Sequence, residues 1–160
     1  MSEFLIRHGQ SEANLKGVFA GQRDNSSLTD LGKEQATESV AILKPYGFTR
    51  IIASPLNRAV ETANIISIGL GGVEVLVDER IAEYDMGDLS GTPIRLLPTE
   101  DLKVTPHRED AYAFADRVFE AFFDHAHDSG NTLFVAHGGT VKIYEAALAE
   151  KDAWEFYNLR

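Results

Sequence analysis

The sequence predicts an α/β protein, a three-layer α/β/α sandwich whose central sheet is mostly parallel. Two observations support this prediction. Short apolar segments rich in β-branched and aromatic residues recur along the chain, and longer segments with helical spacing of apolar residues lie between them. Strands that alternate with helices form βαβ units, which place helices on both faces of a sheet. The predicted strands cover residues 4–8, 50–54, 73–77 and 132–136.

The predicted helices have recognisable starts. Thr29 or Asp30 caps the first helix. Pro55 opens the second, because a proline in the first helical turn has no N–H to leave unpaired. The predicted helices run from about residue 30 to 44, from 55 to 68, from 109 to 126 and from 140 to 149. The segments 10–27 and 78–108 are rich in glycine, proline and charge, and they predict irregular loops.

Length and composition limit the class of protein. A chain of 160 residues without an internal repeat or linker predicts one domain over residues 1–160. The formal net charge of −10 repels nucleic acid and anionic lipid, so neither is an expected partner. We find no apolar run long enough for a bilayer span and no secretory leader pattern. The chain has no cysteine, which is consistent with a cytoplasmic protein and excludes a cysteine nucleophile.

Two histidine–glycine turns follow predicted strands that are far apart in sequence. The first strand runs into Arg7, His8 and Gly9, and the last strand runs into His137 and Gly138. In an α/β sheet, ligands bind at the carboxyl ends of the strands. The sequence therefore predicts that both histidines face one pocket.

Residue chemistry at this pocket favours a phosphate ligand. Arg58 lies one turn into the helix after the second strand, where it can reach the same sheet edge as Arg7. Each guanidinium can bind two phosphate oxygens in a planar fork. A neutral imidazole of His8, held in one tautomer by a carbonyl of the Gly9 turn, can attack phosphorus. Glu83 is the candidate that protonates the leaving alkoxide.

These segments together resemble the histidine phosphatase superfamily, whose members have a phosphoglycerate mutase-like fold. The resemblance covers nearly the whole chain in the expected order. The matching residues are Arg7, His8, Gly9, Gln10, Ser11 and Asn14; Gly21, Asp24, Leu28, Thr29 and Gly32, followed by Gln35 and Ala36; the run from Ser54 to Ala63; Glu83, Gly87 and Gly91; Glu109, Arg117 and Val118; and His137 with Gly138. Residues 92–108 correspond to a cap segment that is short compared with that of many relatives.

The resemblance implies roles for the matched residues. His8 is the nucleophile that becomes phosphorylated, and Glu83 is the proton donor. Arg7, Arg58 and His137 bind the transferring phosphoryl group. Further expected phosphate or substrate contacts are Asn14, Gln22 and Gly138. The family needs no metal and no organic cofactor.

Four of these residues have a plainer alternative role. His137 could be a packed core histidine, and Glu83 could be an exposed carboxylate in an ion pair. Asn14 could brace its own loop through an Asx turn, and Gln22 could lie in a solvated loop.

The implied function is that of a metal-independent phosphomonoesterase acting on a small phosphorylated metabolite. One alternative is a phosphoglycerate mutase, although the segment 92–105 looks too short for the lid that shields a phosphoenzyme from water. Others are a phosphoprotein or phosphohistidine phosphatase and a non-catalytic binding module. The oligomeric state stays open between monomer and homodimer, and the aromatic segment 154–157 could serve a dimer.

Overall fold

A computed structural model of the chain describes residues 2–96, 105–126 and 130–151. The described strands form one parallel sheet in the order β1-β4-β2-β3. The strands are β1 (Glu3–Arg7), β2 (Phe48–Ala53), β3 (Glu74–Val77) and β4 (Asn131–Ala136). The helices are α1 (Glu12–Lys16), α2 (Asp30–Leu43), α3 (Asn57–Gly69), α4 (Ala111–Ala126) and α5 (Gly138–Leu148). The predicted α/β sandwich with a parallel sheet is therefore confirmed.

Alternating side chains of the central strands build a core on each face of the sheet. On β2, Ile51 packs with α3 on one face, while Ile52 points to the opposite face and packs with α4 and α5. On β4, Leu133 joins the first cluster and Phe134 the second. This alternation follows from the two-residue period of a strand. Two helical layers thus cover strands that are apolar on both sides, as parallel sheets require.

The segment 10–27 contains a helix that the sequence interpretation missed. Ser11 and Asn14 form a reciprocal capping box around the start of α1, and Gly17 ends it in the left-handed conformation with φ 66°. The short polar side chain of asparagine takes the place that glutamate or glutamine usually holds in such a box. The prediction of an irregular loop was wrong over residues 12–16 for this reason.

The predicted helix that opens at Pro55 is α3, and it begins two residues later, at Asn57. Leu56 is the N-cap of α3, which begins at Asn57. The residues from Ser54 to Leu56 form a turn that lifts the chain from β2 towards the carboxyl edge of the sheet. The later start matters because it fixes which α3 side chains face that edge.

The predicted loop at 78–108 is mainly irregular, with short 3-10 turns at Glu79–Ile81, Gly87–Leu89 and Ile94–Leu96. The start of the predicted cap pairs with the loop after α1 through a bridge between Val18 and Pro93. Residues 97–104 of that cap lie outside the described residues, as does the aromatic segment 154–157. Within the described part of the chain, no helix combines the length and apolar character needed to cross a bilayer.

Candidate active site

Two neighbouring strands bring the predicted histidines together. β1 and β4 pair in parallel with Arg7 opposite Ala136, so the residues that follow them leave the sheet side by side. His8 continues the ladder by donating its N–H to the Ala136 carbonyl at 2.9 Å. The imidazole rings of His8 and His137 have centroids 5.1 Å apart and an interplanar angle of 61°. Both rings are buried.

The surroundings of His8 fix its tautomer. Its Nδ1 lies 2.6 Å from the Gly9 carbonyl oxygen, which can only accept, so Nδ1 carries the proton. Its Nε2 accepts from Nε–H of Arg58 at 3.2 Å and therefore holds the lone pair. Burial, followed by the charges of Arg58 and Arg7, lowers the pKa of His8 from 6.5 to about 3. The hydrogen bond to the Gly9 carbonyl acts in the opposite direction and raises the pKa of His8, but burial outweighs it. His8 is thus a neutral base with its lone pair at Nε2.

Arg58 is a fully enclosed cation with only 1% of its surface exposed. Besides the bond to His8, its terminal nitrogens donate to the carbonyls of Asp24 at 2.7 Å and Gly21 at 2.9 Å. Burial lowers the pKa of Arg58, while the carboxylates of Glu83 and Asp24 raise it. The loop after α1 therefore holds the guanidinium against Nε2 of His8.

Thr62 connects the helix of Arg58 with the turn of His8. It lies one turn beyond Arg58 on α3, and its hydroxyl donates to the Arg58 carbonyl at 2.7 Å. The same oxygen accepts the N–H of Gly9 at 3.1 Å. One buried hydroxyl thus joins the two segments that carry His8 and Arg58.

His137 has one partnered and one unpartnered ring nitrogen. Nε2 lies 2.6 Å from Oγ of Ser54, while the buried Nδ1 has no hydrogen-bond partner among the described residues. Burial, then the charges of Arg58 and His8, lowers the pKa of His137 well below its usual value. A neutral His137 that accepts the Ser54 hydroxyl proton at Nε2 presents an N–H at Nδ1. Such a free donor is unusual for a packed core histidine.

Glu83 is half-buried and held by backbone donors. One carboxylate oxygen accepts the N–H of Tyr84 at 2.9 Å, and the other accepts the N–H of Gly139 at 3.2 Å. Gly139 lies in the first turn of α5, so the carboxylate lies where the helix dipole favours negative charge. The carboxylate is also close enough to Arg58 to raise its pKa.

The neighbouring carboxylates of Asp85 and Asp88 form ion pairs with other residues. Asp85 binds Arg23 at 3.1 Å, and Asp88 lies 3.6 Å from the same guanidinium and 3.0 Å from Nδ1 of His107. Glu83, by contrast, makes no ion pair within the part of the chain that the structure describes. The alternative of a salt-bridged Glu83 therefore has no support there.

A cleft of about 460 Å³ lies beside His8. Its lining includes His8 and the exposed Arg7, together with Gln10, Asn14, Gln35 and Ile94.

The remaining predicted contacts take different positions around this cleft. Asn14 lines it while its Oδ1 accepts the N–H of Ser11, so it also braces its own loop. A Cβ on Gly138 would lie 3.6 Å from the Arg7 guanidinium carbon, which places this turn beside the cleft. Gln22 is half-buried beside Gly21, and the structure does not place it among the cleft-lining residues.

Sequence reasoning missed three polar residues of the site. Ser54 and Thr62 fall inside the run from Ser54 to Ala63 that carried the resemblance, so their presence in that pattern was the available signal. Gln35 accepts the N–H of Gln10 through Oε1 at 2.8 Å. Nothing in the sequence indicated that bond, because it joins α2 to a distant turn.

Comparison with known proteins identifies the family. The profile of the histidine phosphatase superfamily (branch 1) matches residues 4–160. The chain belongs to this superfamily.

Individual relatives within the histidine phosphatase superfamily differ in activity. A 2,3-bisphosphoglycerate-dependent phosphoglycerate mutase of Allorhizobium ampelinum is 47% identical over 91 residues, covering 54% of this chain and 43% of the mutase. Agropine synthesis reductase of Rhizobium rhizogenes is 32% identical over 156 residues, covering 91% of this chain and 34% of the reductase. The chain thus spans less than half the length of these relatives.

Solved structures show the same fold along almost the entire chain. The α-ribazole phosphatase of Shigella flexneri superposes with a TM-score of 0.81 and 28% identity. The superposition covers 100% of this chain and 85% of that phosphatase. Phosphatases and mutases of one superfamily are therefore both similar to this chain.

Proposed function

We propose that this member of the superfamily is a metal-independent phosphomonoesterase that acts through a phosphohistidine at His8 on a small phosphorylated metabolite. The observation that carries the proposal is the state of His8. A buried, neutral imidazole with its lone pair at Nε2, next to a guanidinium, is suited to attack a phosphate ester.

In the first half-reaction the lone pair of His8 Nε2 forms the bond to phosphorus while the ester P–O bond breaks. Arg7, Arg58 and the Nδ1–H of His137 bind the phosphoryl oxygens, and their charges and dipole offset the charge that develops there. Glu83, in its protonated form, gives its proton to the leaving alkoxide.

In the second half-reaction a water molecule attacks the phosphorus of phospho-His8. The Glu83 carboxylate takes a proton from that water, the N–P bond breaks, and its electron pair returns to Nε2. Orthophosphate leaves and the neutral His8 is restored. Glu83 thus acts as acid in one step and base in the next, as microscopic reversibility permits.

The open cleft supports hydrolysis of a small substrate. Among the described residues the cleft beside His8 is open to solvent, which gives water a route to the phosphoenzyme. The likeness to the Shigella flexneri phosphatase over the whole chain agrees with hydrolysis.

Phosphoglycerate mutation is the second candidate, because the Allorhizobium ampelinum mutase is 47% identical over part of the chain. A mutase would return the phosphoryl group to a bound sugar acid before water reaches it. Incubation with 3-phosphoglycerate and 2,3-bisphosphoglycerate, followed by phosphorus NMR, separates the outcomes. Orthophosphate supports hydrolysis, and 2-phosphoglycerate supports the mutase.

The first test of the proposal is release of phosphate from p-nitrophenyl phosphate in the presence of EDTA. We expect turnover by the wild-type protein and its loss in His8→Ala. Rapid acid and base quenches of the wild type should trap a phosphoryl adduct that is acid-labile and base-stable, as expected for phosphohistidine. Turnover that needs a metal and persists in His8→Ala would overturn the mechanism.

A further inference from the structure

Arg117 and Glu109 form an ion pair beneath the segment that carries Glu83. The guanidinium of Arg117, on α4, binds the Glu109 carboxylate through two bonds, Nε to Oε1 at 2.6 Å and Nη2 to Oε2 at 2.8 Å. Both side chains are less than one-fifth exposed. This geometry is the bidentate fork in which arginine differs most from lysine.

The other donors of Arg117 bind backbone carbonyls around Glu83. Nη1 donates to the carbonyls of Arg80 at 2.6 Å and Ala82 at 2.8 Å. Nη2 donates to the carbonyl of Glu83 itself at 3.1 Å. All the N–H groups of the guanidinium are thereby used, and most of them hold the chain that leads into Glu83.

Glu109 binds the same backbone segment at Asp85, on the other side of Glu83. Its Oε2 accepts the N–H of Asp85 at 3.2 Å, and its backbone N–H donates to the Asp85 carbonyl at 3.0 Å. The ion pair therefore binds the backbone before, at and after Glu83.

Few contacts of its own hold the Glu83 side chain in position. Its carboxylate contacts only the N–H of Tyr84 and the N–H of Gly139 among the described hydrogen-bond donors. The first of these belongs to the segment that Arg117 and Glu109 hold. A shift of that segment moves the carboxylate with it.

We propose that Arg117 and Glu109 are positioning residues that place the Glu83 carboxyl group for proton transfer to the leaving oxygen. The proposal rests on the function assigned to Glu83 above. A buried ion pair is weak evidence for stability, since desolvation offsets most of its Coulomb attraction. Its many bonds to one short backbone segment indicate that it acts on geometry.

The test compares two leaving groups in Arg117→Lys, which keeps the charge but cannot form the fork. An alkoxide needs a proton in order to leave, whereas p-nitrophenolate leaves without one. We expect kcat/KM, which reports the steps up to departure of the leaving group and not the later hydrolysis of phospho-His8, to fall about a hundredfold for ethyl phosphate. For p-nitrophenyl phosphate we expect kcat/KM to change by less than about threefold. An equal loss with both substrates would overturn the proposal, because it would indicate a general structural defect.

A double-mutant cycle separates positioning from folding. In the Glu83→Gln background, Arg117→Lys should lower the ethyl phosphate rate no further, because the group it positions is already absent. A further large loss would contradict the proposal. Glu109→Gln is expected to reproduce the leaving-group pattern of Arg117→Lys, and it carries the test if the lysine variant does not fold.

Arg50→Lys is the matched control. The side chain of Arg50 binds the Thr132 hydroxyl and the His125 carbonyl at the amino end of the sheet, away from Glu83, so both substrates should keep wild-type kcat/KM. Glu83→Gln itself should show the leaving-group pattern in kcat/KM. If it lowers kcat/KM equally for both substrates, the acid assignment in the proposed function fails. If only Arg117→Lys and Glu109→Gln lack the pattern, the positioning proposal alone fails.

Discussion

Gly139 offers a precise way to displace Glu83 without changing it. A Cβ built on Gly139 would lie 2.2 Å from Oε1 and 3.2 Å from the carboxyl carbon of Glu83. Its third neighbour would be the ring of Phe114 at 3.5 Å, which is ordinary contact. The Gly139→Ala substitution therefore collides with the carboxylate and with almost nothing else.

The size of the effect follows from that overlap. To restore an ordinary contact the carboxylate must retreat by about 1 Å, and a misplacement of this size can cost about a hundredfold in rate. The retreat also weakens the bond from the Gly139 N–H to the carboxylate. Alanine is a better helix former than glycine by up to about 1 kcal/mol, so the thermal midpoint should not fall.

Steady-state kinetics with ethyl phosphate and p-nitrophenyl phosphate measures the loss. We expect kcat/KM, which excludes the hydrolysis of phospho-His8, to fall about a hundredfold for ethyl phosphate in Gly139→Ala, with a much smaller change for p-nitrophenyl phosphate. The control is Gly138→Ala, one residue earlier in α5, whose Cβ would meet only the Arg7 guanidinium at 3.6 Å or more. Because Arg7 is proposed to bind the phosphoryl group of both substrates, any loss in that variant should be equal for the two.

A folded Gly139→Ala protein with wild-type activity on ethyl phosphate would refute the reasoning, since it would show that the Glu83 position does not limit proton transfer. Equal losses in the two alanine variants would refute it as well. They would mean that the first turn of α5 tolerates no side chain for reasons unrelated to Glu83.

Three further changes test other parts of the site. In the folded protein the pKa values of His8 and His137 are far below 6.5, so both side chains stay neutral at a pH where the unfolded histidines take up protons. The free energy of unfolding should therefore fall by about 1.4 kcal/mol per pH unit for each histidine as the pH drops below 6.5. Urea denaturation at about pH 7.5 and about pH 5.5 measures this loss, and an unchanged free energy would contradict it. Gln35→Glu keeps the acceptor for the Gln10 N–H but adds a negative charge at the cleft, so KM for p-nitrophenyl phosphate should rise about tenfold and recover in about 1 M salt. Ser54→Ala leaves Nε2 of His137 without a partner, and we expect a loss of about 1–3 kcal/mol in unfolding free energy by urea denaturation, against no change if the bond contributes nothing.

The elements of the fold that could be predicted are those in which the apolar period is strong. The buried runs at 51–53 and 132–136 give strong local signals, and the structure agrees with them. The helix start was predicted at Thr29 or Asp30, and Thr29 is the N-cap of α2. The helix α1 was missed because it has few residues and its stability comes from a capping box and contacts with Ser26 and Ser27. Such contacts join segments that a local pattern does not relate.

Sequence patterns also predicted which residues meet at the site, but not how they are held. The order of the motifs indicated His8, Arg58 and His137, because parallel strands deliver their following residues to one edge. Hydrogen bonds across the fold, such as Gly9 to Thr62 or Arg58 to the Gly21 carbonyl, depend on exact loop paths. The partners in these bonds lie more than 30 residues apart in the sequence, and a local sequence pattern does not relate residues at that distance.

The chemistry of the site follows from its contrast with the rest of the surface. A protein with net charge −10 repels a phosphate dianion except where cations are concentrated, and here Arg7 and Arg58 are concentrated at His8. Burial of His8 is the largest cause of its low pKa, and the charges of the same two arginines lower that pKa further, which keeps the lone pair of His8 available. In the proposed mechanism, attraction of the substrate and activation of His8 as the nucleophile therefore have a common electrostatic origin. Because Arg58 also donates to His8 Nε2, a phosphoryl oxygen that takes over this donor releases the lone pair when the ester is in place for attack.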